Sequence, residues 1–68
     1  MIHEITVVEN LPNTFRLRSS MRDRITSSGL VMNEQELRLA LNDDGLSNDR
    51  LNSLIEEARA SGQVTIEV

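Results

Sequence analysis

The sequence predicts a small mixed α/β (α+β) domain: three helices packed on a two- or three-stranded antiparallel sheet, in the order β-β-α-α-α-β. Three observations carry that expectation. Both ends of the chain read as strands, the first through the β-branched run Ile5-Thr6-Val7-Val8, the last through Val64, Ile66 and Val68 alternating with Thr65 and Glu67. Two stretches between them open on helix-capping residues, at Asn33 and Ser47. Gly29, Gly45 and Gly62 fall where helices would stop. No linker, repeat or low-complexity segment interrupts the chain, so residues 1–68 are expected to form one domain.

The first strand is expected over Ile2–Glu9, and Asn10-Leu11-Pro12-Asn13 reads as a turn, since Pro12 pushes Leu11 out of the α region. Residues 14–18 admit two readings. As a strand, Phe15 and Leu17 share one face and Arg16 and Arg18 the other; as a helix, Leu17, Met21 and Ile25 form a stripe that excludes Phe15. The strand is preferred because the sole aromatic residue belongs in the core. A first helix then starts near Ser19 or Ser20, with Asp23 completing a weak capping box and Gly29 ending it. Asn33 with Glu36 forms a stronger box, flanked by a Met32–Leu37 staple, and Asp43-Asp44-Gly45 closes that second helix. Ser47 caps the third, where Leu51, Leu54, Ile55 and Ala58 follow helical spacing up to Gly62.

With 68 residues and no cysteine, the domain has one small core, no disulfide and no thiol chemistry. No apolar run approaches the ~20 residues that span a bilayer, and Met1 to Glu9 lacks a basic leader, so a cytoplasmic location is the default expectation. The net charge of −4 disfavours nonspecific polyanion binding. It is also segregated. Arg16, Arg18, Arg22 and Arg24 outweigh Glu4, Glu9 and Asp23 in residues 1–32, which carry +1, whereas residues 33–68 carry −5.

Nothing in the sequence assembles a catalytic or metal centre. His3 is the single histidine, lies in a strand, and reads as a surface residue rather than a general base. Ser19, Ser20, Ser27, Ser28, Ser47 and Ser61 fall where helix ends are expected, so capping accounts for them. Asn42-Asp43-Asp44-Gly45 has the look of a calcium loop, but alignment on Gly45 puts Ala40 and Leu51 where carboxylates are needed. No phosphate-binding glycine loop exists. The chain is therefore expected to be no enzyme and to take no cofactor, metal or small-molecule substrate.

From Asn33 to Val68 the chain resembles the second half of a helix-turn-helix or winged-helix domain: a helix, a glycine turn, a longer helix, then a strand. With Gly45 as the turn glycine, Ala40, Leu46, Leu51 and Leu54 occupy apolar positions of the motif, while Leu41 and Asp44 depart from it. The resemblance implies a winged-helix-like fold and makes the helix from Ser47 to Ala60 a recognition helix, with Asn48, Arg50, Asn52 and Ser53 available to read base edges. Asp49, Glu56 and Glu57 on that helix would oppose phosphate, and no wing hairpin follows.

The functional expectation is therefore a small noncatalytic protein-binding module, regulatory or inhibitory, of the size common in phages and mobile elements. Its partner-binding residues are expected to be Arg16, Arg18, Arg22 and Arg24, whose guanidinium groups suit an acidic surface. Two alternatives stand beside it: a DNA-binding transcription regulator, and a structural subunit of a homo-oligomeric assembly, for instance a dimer through a strand edge.

Overall fold

The computed structural model describes residues 2–21, 24–25 and 29–67, with only the backbone described at 20, 21, 24 and 25. The element order is β1 (Ile2–Val7), β2 (Thr14–Met21), β3 (Arg24–Ile25), β4 (Leu30–Asn33), α1 (Glu34–Asp43), α2 (Asn48–Ser61) and β5 (Gln63–Glu67). All pairings are antiparallel. β1 is flanked by β2 and β5, running from Ile2 opposite Ser20 and Glu67 to Thr6 opposite Arg16 and Gln63. The far side of β2 is shared: β3 pairs with Ser20 and Met21, and β4 pairs with Thr14 to Leu17. The register shifts by two residues between them, so five strands fill four positions.

This arrangement corrects the expected fold. The described residues contain two helices, not three, and the sheet is wider than two or three strands. The helix expected from Ser19 or Ser20 to Gly29 does not form over its described part: β2 runs on through Met21, and β3 and β4 follow. The expected arrangement of three helices in the order β-β-α-α-α-β is overturned with it. Residues 22–23 and 26–28 lie outside the described residues. The Ser20–Asp23 box is a local signal, and extended pairing of Ser19, Ser20 and Met21 with β1 and β3 outweighs it.

Alternation sets the two faces of the sheet. Ile5, Phe15, Val64 and Ile66 are buried on one face, with Val7, Leu17 and Met32 partly buried beside them. Both helices cover that face, α1 over β2 and β4, α2 over β5 and β1. They contribute Leu37 and Leu41 from α1, and Leu51, Leu54, Ile55 and Ala58 from α2. The other face carries Glu4, Thr6, Arg16, Arg18, Val31, Gln63, Thr65 and Glu67, and no described element covers it.

The helix ends follow their sequence signals. Asn33 Oδ1 accepts from Glu36 N at 2.8 Å, and Glu36 Oε1 accepts from Asn33 N at 3.2 Å, a complete capping box. α1 ends in a Schellman motif, with Leu46 N donating to Leu41 O and Gly45 N to Asn42 O. Ser47 caps α2, and Gly62 stops it at φ 87°. The helices are antiparallel: Arg59 near the end of α2 donates to Glu34 at the start of α1, while Asn42 and Asn48 meet at the opposite ends.

Candidate partner-binding surfaces

The arginine surface expected from the sequence is in part assembled. Alternation along β2 puts Arg16 and Arg18 on the uncovered face. Arg18 Nη1 lies 3.4 Å from Glu4 Oε1 across the β1–β2 pair. Arg16 is exposed and makes no ion pair among the described residues. Gly29 lies against both stems: a Cβ there would stand 2.7 Å from Arg18 Cγ and 3.0 Å from Arg16 Cγ. Its φ of 65° is a second reason for glycine at this position. Arg22 lies outside the described residues, and so does the side chain of Arg24, whose backbone is in β3 opposite Met21.

The edge beside Arg16 is apolar, a feature absent from the sequence-based expectation. Leu30 and Val31 are 69% and 52% exposed, and β4 pairs only with β2 among the described strands. Val31 stands directly opposite Arg16, and Leu30 opposite Leu17. No charge, proline or covering element among the described residues protects this edge, the usual defences against strand addition. A signal for it exists in the sequence: Leu30-Val31-Met32 is a short apolar run between a glycine and an N-cap.

The second surface expected from the sequence, Asn48, Arg50, Asn52 and Ser53, is exposed along α2. Asn48 Oδ1 is 3.4 Å from Asn42 Nδ2. Asp49, Glu56 and Glu57 are exposed on the same helix, and Arg59 is engaged by Glu34 and Asn13 at 2.6 Å each. No protein-family model, curated protein or solved structure matches the chain. The reading of these surfaces therefore rests on their own chemistry.

His3 is not a surface residue: it is 2% exposed. Its alternation with Ile5 and Val7 puts it on the covered face. Nδ1 shares a 2.6 Å hydrogen bond with Ser19 Oγ, the donor depending on the tautomer, and Nε2 lies 2.8 Å from Asp44 Oδ2. The Nε2 contact is close but poorly directed, since it meets ion-pair distance without hydrogen-bond geometry. Ser19 is thus a strand residue bound to a histidine, not a helix cap. Serine, histidine and aspartate in a row invite comparison with a hydrolytic triad. Here, however, the imidazole is sealed beneath the helices, and a general base must reach the substrate. The row ties β1 and β2 to the end of α1.

Among the described residues no group of acidic, histidine or cysteine side chains is placed to hold a metal ion. No described helix is long and apolar enough to cross a membrane.

Proposed function

We propose that the protein is a noncatalytic protein-binding module, regulatory or inhibitory in role, that captures an extended acidic segment of its partner along β4. The carrying observation is the edge of β4, unpaired among the described strands, where Leu30 and Val31 are exposed beside Arg16. An added strand would satisfy the outward backbone groups of β4, and its side chains would alternate between the two faces. On the covered side they would pack against Leu30. On the uncovered side they would lie about 10 Å from the Arg16 backbone, two strand spacings away. A glutamate or aspartate there and an extended guanidinium span that gap together. Segments alternating apolar and acidic residues therefore fit best. Holding such a segment in extended form would withhold it from other uses, which is how a small module of this kind inhibits. The acidic residues of α2 oppose DNA binding by its polar face.

Selection from a random displayed-peptide library tests the proposal. Enriched peptides should alternate apolar and acidic residues, and both Arg16→Glu and Leu30→Asp should weaken their binding at least tenfold. Enrichment without acidic residues, or full binding by both variants, overturns it.

A further inference from the structure

The opposite edge of the sheet, β5, is also unpaired among the described strands, and its chemistry is complementary to itself. The geometry points to a symmetric dimer of this chain, formed by antiparallel pairing of β5 with β5 of a second copy, with Thr65 at the two-fold axis. This inference does not depend on the proposed partner at β4.

The register follows from the strand. Centring on Thr65 overlaps all five residues, Gln63–Glu67. It sets Val64 opposite Ile66 of the second copy, and Gln63 opposite Glu67, so that an amide donor faces each carboxylate and no like charges meet. Directly opposed residues share a face, so both copies keep their helices on the same side.

The helices then meet, and they too are complementary. α2 lies over β5 and β1, so α2 and its symmetry mate would stand about two strand spacings apart, ~10 Å, the usual separation of packed helices. Arg59 reaches toward α1, which assigns the outer flank of α2 to Arg50, Glu57 and Ser61 at the opposite helical angle. All three are exposed. Thr65 lies three residues past the Gly62 turn, about 10 Å along the strand, and the same distance back along α2 reaches about Leu54. Leu54 therefore sits near the two-fold axis, with Arg50 and Glu57 on either side of it. In the antiparallel pair of helices, each Arg50 meets the other copy's Glu57, giving two equivalent ion pairs. The product is an eight-position sheet that covers both β5 edges and leaves the two β4 edges free at its ends.

Sedimentation or light scattering on the purified chain tests this. The expected result is a concentration-dependent species of twice the 7.7 kDa chain mass. Arg50→Glu and Glu57→Arg should each weaken the dimer about tenfold, because each replaces two weak attractions with two repulsions. An equimolar mixture of the two variants should recover it, since the carboxylates of one then face the guanidinium groups of the other. The double variant R50E/E57R should recover it as well. Thr65→Lys, which sets two charges against each other at the axis, should give monomer with an unchanged circular dichroism spectrum. A chain that stays monomeric up to millimolar concentration overturns the inference. So does a dimer that Thr65→Lys leaves intact, or a pair of charge variants that fail to complement.

Discussion

At the residue scale, single side chains join parts that the backbone leaves separate. Arg59 donates to Asn13 in the β1–β2 turn and to Glu34 on α1, and it stacks 5.8 Å from the centre of the Phe15 ring. Because Arg59 is half exposed, Arg59→Ala should cost only about 1 kcal/mol in urea denaturation, despite its three partners. His3 is the opposite case. Its ring is sealed in, so His3→Ala should cost about 2–4 kcal/mol, because it opens a cavity and leaves Ser19 and Asp44 without the imidazole. Asp44→Asn should cost much less, since the Asp44 side chain is a third exposed. Gly29 and Gly45 make a controlled comparison. Both have positive φ, but a Cβ at Gly45 meets nothing, whereas at Gly29 it meets the Arg18 stem. Gly45→Ala should cost about 1 kcal/mol from the backbone alone, and Gly29→Ala clearly more. Urea midpoints of the two variants check this, and equal losses would remove the steric argument for Gly29.

At the element scale, the helices carry their own start and stop signals, and the strands do not. The reciprocal Asn33–Glu36 box makes Asn33→Ala worth about 1 kcal/mol, while Ser47→Ala should cost less because its bond to Arg50 N is a long 3.3 Å. Thermal denaturation of the two variants ranks them. These same signals explain what is legible in the sequence. Both caps, the Gly62 stop and the alternation of Val64 and Ile66 depend on residues close together in the chain, and each appears where expected. Burial of Phe15 likewise decides correctly between strand and helix over 14–18. The stretch after Ser19 departs from expectation because its fate is set across the sheet. Met21 and Ile25 have helical spacing, yet their backbones pair with other strands, and Leu30 to Asn33 becomes a strand only because β2 offers it an edge. The candidate site divides the same way. Arg16 and Arg18 are legible from alternation along β2, while the apolar edge beside them emerges only from the pairing of β2 with β4.

At the scale of the whole molecule, the described elements cover one face of the sheet and leave the other bare, and protection should grade accordingly. Amides of β1, held on both sides by β2 and β5 beneath the helices, should exchange slowest with solvent. The outward amides of β4 should exchange fast in the free protein and slow once a peptide binds there; hydrogen exchange with and without a selected peptide measures both. The pairing of β1 with β5 has a further consequence, for the order of assembly. β1, β2 and β4 follow one another along the chain, so their contacts close small loops, but β5 must return from the far end of the sequence to reach β1. The meander is therefore the natural nucleus and β5 the late arrival. Val64→Ala should mainly speed unfolding and Leu17→Ala mainly slow folding, as separated by stopped-flow kinetics. Until β5 docks, the second edge of β1 stands bare, and chains halted at that stage are the ones that will aggregate.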